Sequence, residues 1–375
     1  MPSDIPAELS PSPRLLLGPG PSMVHPRVLR AMATPLLGYM DPEFLVLMDE
    51  TQALLRHVFQ TENTLTLPVS GTGMAGMESL LANLLEPGER LLVFAAGFFG
   101  QRLQEVALRH GIEVVKLEKP WGEVFTPAEV EAGLRAYPAK VMAIVHAETS
   151  TGALQPLEGL GEIAHRHGAL LLVDCVTSLG GVPLRIDDWG IDAAYSGTQK
   201  CLGCPPGMAP VTVSDRAREA IRARKAPPSA WYFDLESLAR YWGPERVYHH
   251  TVSGTLVYAL REGLRLVAEE GLENRWARHA ANADYFCQGL AELDLSPFVP
   301  PSHRLPTLVT VRIPQGVDEA KVRTRLRTDY HIEIGAGLGP LKGQVWRVGL
   351  MGASSQKENV TLLLGALKEI LHDAA

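Results

Sequence analysis

LLLVD, at residues 170–174, and AAYSGTQK, at residues 193–200, have the pattern of two strands that end in a carboxylate and in a lysine. Lys200 could form a Schiff base with an aldehyde cofactor, because a lysine carried into the interior is accessible as a neutral amine. Asp174 could hold the protonated ring nitrogen of the same cofactor. This pairing is what pyridoxal phosphate (PLP) chemistry needs, so the two stretches predict a PLP site.

Strand-like and helical patterns alternate along the chain up to this pair. The strand patterns lie at residues 64–69, 90–96, 112–117, 141–146 and 169–173, and the helical patterns at residues 74–85, 101–110, 127–137 and 157–167. Such alternation predicts an α/β fold with a mostly parallel sheet covered by helices on both faces. Ligands of these sheets bind beyond the carboxyl ends of the strands. Ser70, Ala96, Asp174 and Lys200 should therefore converge at one edge.

The chain has 375 residues, which is enough for two domains because single cores stop growing at about 250–300 residues. After residue 251 the pattern changes to long helices followed by strands at residues 307–313 and 345–350, which predicts a smaller α+β domain. We predict an N-terminal arm (residues 1–21), a large PLP-binding domain (residues 22–275) and a small C-terminal domain (residues 276–375).

Composition excludes several classes of function. The chain carries 42 acidic and 35 basic residues without long charged blocks, which gives no basic surface for nucleic acid or for an anionic membrane. Its apolar runs are shorter than the ~20 residues of a membrane-spanning helix. The N-terminus lacks the features of a secretory signal, and the four cysteines show no disulfide framework. We therefore expect a cytoplasmic protein.

The segment GTGMAG, at residues 71–76, matches the dinucleotide-binding pattern G-x-G-x-x-G between a strand and a helix. An NAD site also needs an acidic residue at the end of the following strand, and here that strand ends in FAAG, at residues 94–97. The glycines still expose backbone N–H groups at a helix N-terminus, which is an anion site. The segment therefore favours a phosphate rather than a dinucleotide, with a tight turn that binds nothing as the alternative.

Several further short motifs follow one another along the chain. They are LGPGP (residues 17–21), SGTG (70–73), GQR (100–102), ETSTG (148–152), PPG (205–207) and YHHT (248–251). Together with the Asp174 and Lys200 segments they resemble the class V aminotransferases of PLP fold type I, and within them the alanine–glyoxylate and serine–glyoxylate group. The resemblance runs from about Leu15 to the C-terminal helix. It implies an aspartate aminotransferase-like fold with a large and a small domain.

The resemblance implies roles for the residues around the cofactor ring. Lys200 would form the Schiff base and then shuttle the proton between the substrate Cα and the cofactor C4′. Asp174 would pair with the ring nitrogen. Phe99 would stack on the ring, at a position where the family commonly has tryptophan.

The resemblance also implies contacts with the rest of the cofactor. Thr72, Gly73 and the backbone of Met74 would cradle the phosphate, although family members often have histidine where Met74 stands. Gln199 and Thr149 would donate or accept hydrogen bonds, Thr149 near the phenolic oxygen. Thr149 retains the hydroxyl of the serine that is frequent there.

Arg347 matches the arginine that clamps the substrate carboxylate, and a bidentate guanidinium suits a planar carboxylate. Tyr248 and Thr251 resemble residues that reach the phosphate from the neighbouring subunit. Gly38 and Tyr39 resemble a segment that lines the substrate pocket from the partner chain. The resemblance therefore implies a homodimer with composite active sites.

Two motifs raise the question of a metal. Cys201 and Cys204 form a C-x-x-C, but no second such pair completes a zinc site, so structural cysteines are favoured over redox or zinc use. His249 and His250 are adjacent, and adjacent residues of an extended segment should point to opposite sides. With no third ligand evident, we predict no metal.

The implied reaction is transamination between a small amino acid, alanine or serine, and a keto acid, with glyoxylate as the favoured acceptor. Alternatives within the family are another donor, of the 2-aminoethylphosphonate, 3-hydroxykynurenine or aspartate type, or pyruvate as acceptor. A further alternative is PLP-dependent elimination or sulfur transfer, and either reaction would need a mobile catalytic cysteine. A catalytically silent PLP-fold binding protein is the alternative from a different class.

Overall fold

The computed structural model describes residues 6–373, so the first five residues of the predicted arm and the last two residues of the chain lie outside the described range. The elements before residue 250 are β1 (Leu15–Leu16), α1 (Pro26–Met32), α2 (Pro42–Phe59), β2 (Leu65–Ser70), α3 (Gly73–Leu84), β3 (Arg90–Ala95), α4 (Phe98–Arg109), β4 (Glu113–Glu118), α5 (Pro127–Ala136), β5 (Val141–Val145), β6 (Ala147–Glu148), β7 (Ala153–Leu154), α6 (Leu160–Arg166), β8 (Leu170–Asp174), β9 (Ala193–Tyr195), β10 (Met208–Val213), α7 (Asp215–Arg222) and α8 (Leu235–Trp242). The later elements are α9 (Gly254–Glu270), α10 (Leu272–Glu292), β11 (Leu308–Arg312), α11 (Glu319–Asp329), β12 (Ile332–Glu333), β13 (Gly335–Ala336), β14 (Val345–Gly349) and α12 (Lys357–His372).

The central sheet has seven strands in the order β2-β10-β9-β8-β5-β3-β4. Strands β5, β8, β9 and β10 are buried along their whole length, as expected for a sheet with helices on both faces. The predicted mostly parallel sheet is confirmed. Strand β10 runs in the opposite direction to the other strands of this sheet. The connection from β9 to β10, residues 196–207, carries Lys200 and contains no helix that could make a parallel crossover.

Helices around the sheet begin in two different ways. Helix α5 begins with a capping box in which Thr126 and Glu129 exchange side-chain and backbone hydrogen bonds. In helix α2, Asp41 accepts a hydrogen bond from the N–H of Glu43 at 2.8 Å. Helix α3 begins after Thr72 without any side-chain cap. Its first N–H groups lack intrahelical partners and are therefore free to bind an anion.

A second core lies in the C-terminal part of the chain. It packs helices α10, α11 and α12 against the antiparallel sheet β11-β14-β13. Leu17, fully buried, belongs to this core although it lies near the start of the chain. Strand β1 pairs in parallel with β12, and the N–H of Gly349 donates to the Leu17 carbonyl at 2.8 Å. The N-terminal segment is thus tied to the C-terminal core.

The first core draws its buried residues from positions 28 to 272 and the second, apart from Leu17, from positions 283 to 370. Helix α10 runs across the predicted boundary at residues 275 and 276. The exact division into arm, large domain and small domain stays a prediction.

No helix among residues 6–373 is long and apolar enough to cross a membrane. Within the same residues, no group of three histidine, cysteine or acidic side chains is arranged to hold a metal ion.

Candidate active site

A cavity opens beyond the carboxyl ends of the central strands. Most of the residues predicted to bind the cofactor line this one cavity, namely Thr72, Gly73, Met74, Phe99, Thr149, Asp174, Gln199 and Lys200. They come from distant parts of the chain and are brought together by strands β2, β3, β5, β8 and β9. Asp174 and Lys200 meet here as expected, whereas Ser70 and Ala96 are not among the residues that line the cavity.

Lys200 lies in the loop between β9 and β10 and is held by the N-terminal segment. Its Nζ donates a hydrogen bond to the Pro19 carbonyl, and a side chain at Gly20 would collide with the lysine. The Ser22 hydroxyl donates to the Lys200 carbonyl at 2.7 Å. Burial, and next the positive charge of Arg347, lower the pKa of Lys200 from 10.5 to about 8. A substantial neutral, nucleophilic fraction is thus present near neutral pH.

This lowered pKa makes a testable prediction for the cofactor-free protein. Only the neutral amine reacts with 1-fluoro-2,4-dinitrobenzene, so labelling of Lys200 should rise with pH through a midpoint near 8 instead of 10.5. Brief labelling across a pH series, followed by peptide mass spectrometry, measures this midpoint, with the other lysine peptides of each digest as internal references. A midpoint at or above the ordinary value would contradict the electrostatic assignment.

Asp174, at the end of β8, is buried at the base of the cavity. Its Oδ1 accepts a hydrogen bond from the Val176 N–H at 2.9 Å, and its Oδ2 accepts one from the Tyr195 hydroxyl at 2.6 Å. Burial raises the pKa of Asp174 to about 6, against the opposing effect of these two hydrogen bonds. The carboxyl group is thus mostly ionised at neutral pH and can pair with a protonated ring nitrogen.

The N-terminus of helix α3 suits a phosphate. Its first N–H groups are uncapped, and Gly73, which lines the cavity, packs so closely that an added Cβ would lie 3.1 Å from Cγ2 of Val176. The Gln199 Oε1 atom is buried and has no hydrogen-bond partner in the part of the chain that the structure describes. An orphaned buried acceptor beside a free helix N-terminus fits a ligand with both donor and acceptor groups. These residues therefore fit PLP.

Phe99 is fixed by Glu148, a residue that was not predicted as part of the site. The Phe99 N–H donates to Glu148 Oε2 at 3.1 Å, while Oε1 accepts from the N–H and hydroxyl of Ser150 at 3.0 and 2.6 Å. A side chain at Gly97 would collide with Glu148. Because the glutamate lies in the β6–β7 hairpin and Phe99 lies in the first turn of α4, their contact depends on tertiary packing.

Arg347 lies on β14 and is buried, with 8% of its surface exposed. Its Nε donates to the Ala336 carbonyl at 2.6 Å, and its Nη1 donates to the Thr149 carbonyl at 3.2 Å. Burial lowers the pKa of Arg347 to about 10, and nearby Glu148 partly opposes this effect. Both of these bonds are to backbone oxygens. Arg347 is not among the residues that line the cavity, but its charge lowers the pKa of Lys200, and its guanidinium bonds the backbone of Thr149, which does line it. A buried guanidinium in this position suits a small carboxylate ligand.

The four residues predicted to act across a subunit boundary do not line the cavity of their own chain. The tilted rings of Tyr39 and Tyr248 pack with centroids 4.9 Å apart, and the Tyr248 and Thr251 hydroxyl oxygens are 3.1 Å apart. Gly38 has no atom within contact distance of an added Cβ. These residues form a separate surface group beside the aromatic rings of α8.

The adjacent histidines are arranged differently from the expectation. Instead of pointing to opposite sides, His249 and His250 bring their Nδ1 atoms to 2.9 Å, so that prediction is wrong. His249 stacks on Trp231 at 4.3 Å, and the His250 Nε2 lies 2.7 Å from the Ser70 hydroxyl. Each ring is thus occupied by packing or hydrogen bonds.

The two cysteines of the C-x-x-C are both buried and free. The Cys201 thiol donates to the Thr177 carbonyl at 3.2 Å, and the Cys204 thiol donates to the Ala259 carbonyl at 3.4 Å. Burial raises the pKa of each thiol to about 12, so neither is a thiolate at neutral pH. This favours the structural interpretation and disfavours sulfur transfer.

Comparison with known proteins agrees with this geometry. The model of the family described as aminotransferase class-V matches residues 15–363. The solved alanine–glyoxylate aminotransferase of Nostoc sp. is 54% identical and superimposes with a TM-score of 0.97, covering 98% of this chain and 97% of that one. The alanine–glyoxylate aminotransferase of Callithrix jacchus is 46% identical over 97% of this chain and 89% of its own length. The (S)-ureidoglycine–glyoxylate transaminase of Bacillus subtilis is 42% identical over 97% of this chain and 92% of its own length. The chain belongs to the class V aminotransferases and is a PLP-dependent enzyme of fold type I.

Proposed function

We propose that this enzyme transfers the amino group of a small amino acid, alanine or serine, to glyoxylate. The buried Arg347 guanidinium carries the proposal, because it lies close enough to Lys200 to lower the pKa of the lysine and can bind the carboxylate that all these substrates share. The choice of glyoxylate rests on the relatives from Nostoc, Callithrix and Bacillus, all of which have glyoxylate in their names.

The side chains of this cavity can divide the work of such a reaction. Bound PLP supplies an electron-accepting ring that stabilises negative charge on the substrate Cα. The Lys200 amine can take the Cα proton and return one, because its lowered pKa lies near the working pH. Arg347 would hold the carboxylate, which fixes the Cα–H bond relative to Lys200. Phe99, anchored through its N–H to Glu148, supports one face of the ring site.

A single-turnover panel tests the substrate pair. The PLP-loaded enzyme is mixed with alanine, serine, aspartate, 2-aminoethylphosphonate or 3-hydroxykynurenine, and the loss of its visible absorbance is recorded. The converted enzyme is then mixed with glyoxylate, pyruvate or 2-oxoglutarate, and the recovery is followed. We expect alanine or serine to be the fastest donors and glyoxylate the fastest acceptor. Recovery with 2-oxoglutarate alone would contradict the proposal.

Ureidoglycine is a second candidate donor, favoured by the relative from Bacillus subtilis at 42% identity. It also carries a carboxylate that Arg347 could bind, so Arg347 does not separate it from alanine. Adding (S)-ureidoglycine to the same panel makes the distinction. A rate above that of both alanine and serine would assign the enzyme to this donor and leave glyoxylate as the acceptor.

We propose further that the enzyme works as a homodimer with composite active sites. Large apolar side chains stand exposed on one face around the Tyr39–Tyr248 pair, namely Leu36 (70%), Met40 (41%), Trp231 (63%), Tyr232 (40%) and Val247 (40%). Monomeric proteins seldom expose a cluster of this kind, so a second copy is the expected cover. The surface position of Tyr248 and Thr251 supports a role in the neighbouring site.

Mixing two defective variants tests this arrangement. Lys200→Ala and Tyr248→Ala are each expected to lose activity, and subunits exchanged between them would form mixed dimers. If Tyr248 acts across the interface, one site of each mixed dimer has both native residues, so activity returns on mixing. If Tyr248 acts within its own chain, every mixed site is defective and activity stays low. Sedimentation of the wild type measures the dimer itself.

We also propose that the protein resides in the cytoplasm. All four cysteines are free, and three of them are buried, which suits a reducing compartment. Cell fractionation with an antibody against the native chain would test this location, and recovery with secreted or membrane fractions would contradict it.

A further inference from the structure

The hydroxyl of Tyr195 binds the Asp174 carboxylate directly, and within residues 6–373 the other hydrogen bond to this carboxylate comes from the backbone of Val176. The Tyr195 hydroxyl donates to Asp174 Oδ2 at 2.6 Å, and the whole residue is buried to 0% exposure at the cavity wall. Asp174 and Tyr195 are register partners in the neighbouring parallel strands β8 and β9. Their side chains therefore leave the sheet on the same face, which places the hydroxyl beside the carboxylate.

The sheet and a covering helix hold the phenol in this position. The Cys175 N–H donates to the Tyr195 carbonyl at 3.0 Å, which fixes the backbone. Helix α3 packs directly on the side chain, since a Cβ at Gly76 would lie 3.0 Å from the Tyr195 Cβ. The Val176 N–H holds the second oxygen of Asp174 at 2.9 Å. Each oxygen of the carboxylate thus has one fixed donor.

The direction of the hydrogen bond is also fixed. Burial and the negative charge of Asp174 raise the pKa of Tyr195 well above its usual value, so the phenol keeps its proton and acts as the donor. A hydrogen bond to an ionised group is stronger than one between neutral groups. It opposes both rotation and protonation of a carboxylate that burial alone would tend to neutralise.

We infer that Tyr195 is a positioning residue, which holds the Asp174 carboxylate in place to receive the protonated ring nitrogen of PLP. The tyrosine acts through Asp174 and has no direct part in the chemistry. Tyr195 should therefore increase the affinity only of ligands whose ring nitrogen can bind the Asp174 carboxylate.

The test compares two ligands on the cofactor-free protein. Tyr195→Phe removes one oxygen and keeps the rest of the side chain, including the Cβ that packs against Gly76. Its affinity for PLP should fall about tenfold, as expected for a lost hydrogen bond to a charged group. Its affinity for 1-deazapyridoxal phosphate, in which a C–H replaces the ring nitrogen, should equal that of the wild type. Equilibrium titration by protein fluorescence measures both constants without any catalytic assay.

A matched control is Tyr285→Phe, which removes the same atom from a hydrogen bond with the Thr361 hydroxyl, far from the cavity. It should leave both affinities unchanged. In an Asp174→Ala background, Tyr195→Phe should cause no further loss of PLP affinity. Equal loss for both ligands, or a loss that adds to that of Asp174→Ala, would show a packing role and overturn the inference. Unchanged PLP affinity in Tyr195→Phe would also overturn it.

Discussion

Replacing Lys200 with alanine should lower the transamination rate by at least about 10⁴-fold, because the substitution removes both the nucleophile and the group that moves the Cα proton. No other lysine lines the cavity, so no neighbour in the described chain can take over. The variant should still bind PLP through Asp174, Phe99 and the N-terminus of α3. Its visible absorbance should lose the band that depends on the lysine, and dialysis should remove its cofactor more easily.

The matched control is Lys140→Ala, which removes a lysine that pairs with Glu89 on the surface at 2.7 Å. That variant should keep the absorbance and the rate of the wild type. Small primary amines added to Lys200→Ala should restore part of the rate, since the missing side chain leaves room for them. A rate within tenfold of the wild type would show that another group moves the proton.

Replacing Arg347 with glutamine should lower kcat/KM for the amino acid by about 10²- to 10³-fold, the usual cost of removing one partner of a buried charge pair. Most of the loss should lie in KM, because the guanidinium binds a carboxylate that does not itself react. Arg347→Lys keeps the charge and loses the planar guanidinium, so its kcat/KM should lie between those of the wild type and Arg347→Gln. Steady-state kinetics with alanine measures all three proteins.

Two further measurements distinguish a loss of carboxylate binding from a general loss of enzyme activity. An amine without a carboxylate, such as ethylamine, should react with the wild type and with Arg347→Gln at similar low rates. The same variant should also raise the labelling midpoint of Lys200 toward its usual pKa, because a positive charge beside the amine has been removed. Equal losses for alanine and ethylamine would refute the assignment of Arg347 to the carboxylate.

The sequence predicts Asp174 and Lys200 because both depend on local pattern, an apolar run that ends in a polar residue. The sheet brings the ends of such runs together whatever their order. Tyr195 and Glu148 were missed as site residues because their roles depend on pairing between segments. The first acts through the register of β8 and β9, and the second through contact between a hairpin and the start of α4. One sequence contains no direct signal for either contact.

Several features of the loops and the surface also depend on contacts that one sequence does not reveal. The antiparallel β10 follows a connection through Lys200 that contains no crossover helix, and periodicity does not reveal this direction. His249 stacks on Trp231, and His250 packs against Tyr232 and Tyr241, and these aromatic residues lie in separate segments of the chain. The surface group of Tyr39 and Tyr248 was placed by resemblance, and the structure shows that it lies outside the cavity of its own chain.

The N-terminal segment has a consequence for how the enzyme is made. Strand β1 pairs with β12, the Leu17 carbonyl bonds Gly349, and Ser22 bonds the loop of Lys200. Residues 15–22 leave the ribosome long before their partners around residue 349. The central sheet can form early during synthesis, whereas the N-terminal segment beside Lys200 can pair with β12 and Gly349 only after those residues emerge, so a long loop must then be closed. Nascent chains that end before β14 should therefore contain a folded sheet and an incomplete cofactor site.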